Sequence, residues 1–147
     1  MSGRQERLGR LLAIRRLNEE LDRNTLASAL TRVAEVEAAL AAQDASVAIA
    51  RLAGHSALSA GDRGEWLLAD AQKEVAGWNR GRLGVLLQAR TEDVAPAMQR
   101  FVESRLEHEQ VKQLVVDAQR VEATEEDRKA QAAADDWFLN KRARSAD

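Results

Sequence analysis

The chain has 147 residues and a formal net charge of -2, enough for one ordinary domain with no strong electrostatic bias. Aromatics make up 3%, there is a single proline, and alanine, leucine, arginine and glutamate dominate; this profile excludes an aromatic-rich globular core and points to long helices and coiled coils. The two signs of charge are finely mixed, which disfavours nucleic acid as a partner, and the lack of cysteine excludes a disulfide framework and a thiolate metal site.

No stretch approaches the ~20 apolar residues that span a bilayer. Arg4, Arg7 and Arg10 precede "LLAI" in the manner of a signal peptide. That apolar run is too short, and Arg15, Arg16, Glu19 and Glu20 follow at once with no small-residue cleavage site. The expected location is the cytoplasm.

In chain order, the first predicted helix covers about 4–52, interrupted in composition only by Gly9. Leu26, Val33, Leu40 and Val47 recur every seven residues, and Ala29 and Val36 complete an a/d-like seam. Leu11, Ile14, Leu17 and Leu21 form a similar stripe in a shifted register, so an irregularity is expected between Leu21 and Leu26. Next comes "AGHSALSAGDRG", in which Gly54, Gly61 and Gly64 accompany Ser56, Ser59 and Asp62. It predicts a loop over about 53–61, short enough to fold the two flanking helices back on each other.

The second predicted helix covers about 62–141, with Asp62 as its cap. Leu68, Ala71, Val75 and Trp78 continue a 3/4 stripe. Gly77, Gly81 and Gly84 share one face, as either a weakly helical patch or a smooth groove for close approach. Pro96 predicts a break or kink near 93–96, because proline removes a backbone hydrogen bond and clashes with the preceding turn. Farther on, Val111, Leu114, Ala118 and Val121 hold a/d spacing, after which "EATEEDRKAQAAADD" offers only alanine and charge. The expected fold is all-α: an elongated antiparallel two-helix coiled coil, a single hairpin over 1–147, with a protruding C-terminal helix.

The arms are unequal. Paired from the loop outward, they run out of partners near residue 110, leaving roughly 45 Å of helix beyond the N-terminus. Alanine and mixed charge can keep such a segment helical, but they do not account for Trp137, Phe138 and Leu139. An exposed aromatic cluster is a candidate binding anchor; the alternative is that it folds back onto Leu8, Leu11 or Leu12, or frays. Chemistry is otherwise absent from the pattern. His55 and His108 are isolated from other metal-ligating residues. No Gly-Lys-Ser/Thr follows the glycines to make a phosphate loop, and Glu103, Glu107 and Glu109 belong to a solvated helix face without the desolvation that acid–base catalysis needs. Neither an enzyme nor a cofactor is expected.

Three segments carry a resemblance. "RLGRLLAIRRLNEELDRNTLASAL", "RGEWLLADAQKEV" and "EATEEDRKAQAAADDWFLNKRAR" resemble, in turn, the opening helix, the second-helix start and the charged-to-aromatic end of the FliJ family, the coiled-coil component of the flagellar type III export apparatus. The resemblance implies an antiparallel coiled coil similar to the central stalk of rotary ATP synthases. Its paired ends would enter the hexameric export ATPase, with Trp137, Phe138 and Leu139 together with Leu8, Leu11 and Leu12 at that end. It also implies contact with the cytoplasmic domain of the export gate, assigned to Trp66 and Leu67, and with export chaperones, for a monomer held peripherally at the inner membrane through its protein partners. A stalk of a virulence-type secretion system shares this architecture; a self-associating structural coiled coil is the reading from a different class.

Overall fold

A computed structural model describes residues 3–146. They form two helices packed against each other, α1 (Gly3–Ala60) and α2 (Arg63–Ser145), with no strand among the described residues. The all-α helical hairpin is therefore the fold.

The connection is much tighter than the expected loop. Helix α1 does not stop at residue 52 but continues through 53–60, and only Gly61 and Asp62 lie between the helices. The glycine and serines that suggest a loop serve the helix instead. Gly54 lies opposite α2, where an added Cβ would sit 3.7 Å from Ala69 Cβ and 4.0 Å from the Trp66 ring. The hydroxyl of Ser59 donates to the carbonyl of His55 one turn back. Ala57 is buried, so packing holds this last stretch helical against its weak propensity.

Each side of the turn is capped. Gly61 has φ +72°, its N–H donates to the Leu58 carbonyl at 3.2 Å, and the Asp62 N–H donates to the Ala57 carbonyl at 2.9 Å. These paired bonds form a Schellman motif, which needs a left-handed residue after the helix end. Asp62 Oδ1 accepts the Glu65 N–H at 3.1 Å, so Asp62 is the cap that the sequence predicts for α2. Gly61→Ala is expected to lower stability by about 1–2 kcal/mol, since a Cβ is strained in this conformation, while Gly61→Asn should lose less. Urea unfolding checks this: equal midpoints for wild type and Gly61→Ala would contradict it.

Cα proximity divides the chain into two compact units, 21–102 and 3–20 with 103–146. In the first, the turn unit, the expected heptad is the seam: Leu26, Ala29 and Val36 are buried, and Val33, Leu40 and Val47 are half-buried. Its partner on α2 runs through Trp66, Ala69, Ala76, Leu83, Leu87, Val94, Ala97 and Phe101. Leu26, Ala29 and Ala97 form a core cluster with Val94 and Phe101 packed on it, and the Arg23 guanidinium lies 5.7 Å from the Phe101 ring centre. The stripe of Leu68, Ala71, Val75 and Trp78 read as the α2 seam is on the outside; all four are exposed. Alanines take the inner positions because they let the helix backbones approach closely, and the bulky residues one or two places away are left facing outward.

Helix α2 is also continuous through Pro96, and the break expected over 93–96 is absent. Val94 and Ala97, on either side, are both held in the Leu26–Ala29 cluster, which offsets the hydrogen bond that proline removes.

In the second, the terminal unit, the seam keeps its 3/4 spacing through Leu8, Leu12, Arg15 and Glu19 on α1, facing Ser104, His108, Val111, Val115 and Ala118 on α2. The expected register shift is not there. Ile14 and Leu17 are 53% and 59% exposed, Leu21 is exposed in the turn unit, and only Leu11 of that stripe is half-buried. The places that the shift was meant to avoid are filled by polar side chains.

Candidate partner-binding site

The site is built from the length of α2. The first residues of α1, Arg4 and Gln5, share a groove with Leu114, Asp117, Ala118, Val121, Glu122 and Glu125. Pairing therefore reaches about ten residues past the expected limit near 110, because α1 is longer than expected at its turn end. After Glu122 every described residue is exposed. The unpacked stretch of helix, 123–145, is ~35 Å long at the usual rise per residue.

What holds this stretch helical is local. Alanines and long charged side chains supply propensity, Gln131 Nε2 donates to Asp135 Oδ1 one turn on, and Arg142 and Arg144 lie in the last turn, where cations favour the helix dipole. In this stretch, unlike the chain as a whole, the two signs are mixed only at Arg128 and Lys129 and otherwise fall in blocks. From Glu122 to Asp136 six acids face two bases, Arg128 and Lys129, and Lys141, Arg142 and Arg144 then follow.

At the boundary between the acidic and basic blocks sit Trp137, Phe138 and Leu139, exposed to 58%, 69% and 65%. The two rings meet edge to face, 5.6 Å between centres at 87°, and Lys141 Nζ lies 4.9 Å from the Trp137 ring centre. The result is an apolar knob with a cation on one flank and carboxylates on the other. Neither folding back nor fraying describes it. Leu8, Leu11 and Leu12 are half-buried; Leu12 shares a groove with Gly9, Ala13, His108 and Lys112. Trp137 lies ~18 Å along α2 beyond Glu125, the last residue of the Arg4 groove. The structure thus leaves the aromatic trio by itself and keeps the three leucines in the hairpin.

The Trp66 and Leu67 pair is split by the helix. Trp66 is half-buried and lines a hollow with Ala57, Leu58, Gly61, Asp62 and Arg63 beside the turn, whereas Leu67 is exposed. Trp66 is thus part of the hairpin's own packing.

One group escaped the reading of the sequence. Glu19 is buried in the seam, and its Oε2 contacts His108 Nδ1. Next to it Arg15 donates to Glu107 Oε2 at 2.7 Å. The signal was available: a heptad step back from Leu26 lands on Glu19, and one from Val115 lands on His108. Local hydrophobicity pulled the register toward Leu17 and Leu21 instead.

Among the described residues no cluster of three or more His, Cys, Asp or Glu could hold a metal ion, and no helix is long and apolar enough to cross a membrane. No family model, curated protein or solved structure matches the chain.

Proposed function

We propose that the protein is a central-stalk-like activator and adaptor of a hexameric export ATPase in a flagellar type III export apparatus, linking the ring to the export gate and its chaperones. The observation that carries this reading is the unpacked end of α2, which holds Trp137, Phe138 and Leu139 in helical geometry with no neighbour from α1. Exposed aromatics on a pre-formed helix suit insertion into a partner, because little ordering entropy remains to be lost and aromatic anchors dominate binding energy. The acidic block before them and the basic residues after them supply orientation. The role is mechanical and connective rather than catalytic.

The test is ATP hydrolysis by the cognate export ATPase with wild type and with the Trp137→Ala, Phe138→Ala double variant. Wild type should stimulate hydrolysis and the variant should not. The variant's circular dichroism and melting temperature should match wild type, since the two rings contact each other and Lys141 rather than the hairpin. Absence of stimulation by wild type would remove the stalk reading.

A further inference from the structure

The turn unit carries a second helical seam that nothing covers. On α2 the residues Leu67, Ala71, Val75, Trp78, Gly81, Val85 and Ala89 are all exposed, and their 3/4 spacing places them on one face, within a wedge of about 120° at ~100° per residue. That wedge is centred on the side opposite the buried Ala69 and Ala76 and the half-buried Leu83. Trp78 and Val85 are 75% and 73% exposed. Single exposed apolar side chains are ordinary on a protein surface, but a continuous helical row centred on a tryptophan is the pattern of an interface.

The spacing also names the occupant. Counted outward from Trp78, the row is the same in both directions: Val75 and Gly81 lie three residues away, Ala71 and Val85 seven, Leu67 and Ala89 eleven. We propose that two copies of the chain associate through this face, their α2 helices antiparallel about a two-fold axis at Trp78. Residues equidistant from Trp78 then face one another across the axis. Leu67 meets Ala89 and Val85 meets Ala71, all four near the midline of the face, so these bulky side chains lie opposite small ones, and the two Trp78 rings share the axis.

The charges obey the same symmetry. Glu74 lies across from Arg82, four residues either side of Trp78, and Arg63 and Asp93, fifteen residues either side, share one height on the two edges of the contact. Each pair occurs twice in an isologous contact. None of these four side chains has an ion-pair partner among the described residues. A parallel pairing in the same register would instead set Glu74 against Glu74 and Arg82 against Arg82, which like-charge repulsion disfavours. The glycines fit as well. A Cβ added at Gly77, Gly81 or Gly84 would meet nothing within 4 Å, so the hairpin itself does not require them; Gly81 leaves open space on the proposed face beside Trp78. The inference uses the turn unit alone: it replaces the monomer that the resemblance implies with a dimer, leaves the aromatic end of α2 free, and its failure would not touch the ATPase test.

Sedimentation of the full chain tests it. Wild type should give a species of twice the 16.2 kDa chain mass, and Trp78→Glu should give the chain mass with unchanged helicity. Glu74→Arg and Arg82→Glu should each weaken the dimer about tenfold or more, and the two combined should restore it, because the opposite charges have then changed places and face each other again. Restoration within one chain is excluded, since residues eight apart on a helix are ~12 Å apart along its axis. A species of the chain mass at every concentration overturns the proposal. So does a dimer indifferent to Trp78→Glu, or a charge exchange that fails to restore association.

Discussion

His108→Leu is expected to destabilise the hairpin by roughly 1–3 kcal/mol, while Glu19→Leu combined with His108→Leu should recover the loss or exceed wild type. The contact lies inside the seam, with side-chain exposures of 11% for Glu19 and 19% for His108. Taking a carboxylate from water is unfavourable, and the imidazole at Glu19 Oε2 offsets part of that cost. The single variant deprives a buried carboxylate of that contact and puts an apolar group against it. The double variant removes both polar groups and lets leucines fill a/d positions, as they do in an ordinary coiled coil. Urea unfolding at neutral pH measures both. Equal destabilisation by the single and the double variant would show that the polar pair is itself favourable rather than tolerated.

Ala76→Leu is expected to cost about 1–3 kcal/mol, although leucine is a good helix former and more apolar than alanine. Ala76 is 4% exposed, as are Ala50 and Ala69, and together with Ala57 they make the seam near the turn a succession of small residues. Three more carbons on the inner face either force the backbones apart or turn, in a strained rotamer, toward the hollow that Ala76 lines with Ala50 and Ile49. Ala42→Leu, on the exposed face of α1, is the control and should stay within about 0.5 kcal/mol of wild type. Thermal melting of the two variants decides the matter, and similar melting temperatures would mean that the helices are spaced widely enough to take a leucine.

The two-helix architecture was legible because nearly every residue is a good helix former and the only turn chemistry lies mid-chain. The seam from Leu26 to Val47 was legible for the same reason: there the bulky aliphatics and the buried positions coincide. Where they part, the sequence misleads. On α2 the inner positions go to Ala69 and Ala76 while Val75 and Trp78 face outward, so a rule that buries the most apolar residues selects the wrong face. On α1 the inner positions go to Arg15 and Glu19 while Ile14 and Leu17 face outward, with the same result. Gly54, read as loop, and Pro96, read as a possible break, misled for a different reason. Both are poor helix residues by intrinsic propensity, and each is overruled by contacts from the opposite helix that only the fold supplies. The tail was legible as unpartnered, and its aromatic trio as exposed, since neither depends on register.

The two-residue turn divides the hairpin's contacts by their cost in chain entropy. Gly54 and Ala69 face each other across only fifteen residues, whereas Glu19 and His108 are 89 residues apart in sequence. Closing the longer loop from a disordered chain costs about 1.5 kcal/mol more than closing the shorter one. The alanine contacts beside Gly61 are therefore the inexpensive ones to form first, and each turn of helix that docks there shortens the free loop left for the next. The polar Glu19–His108 layer comes late in such a sequence, when little free loop is left to close.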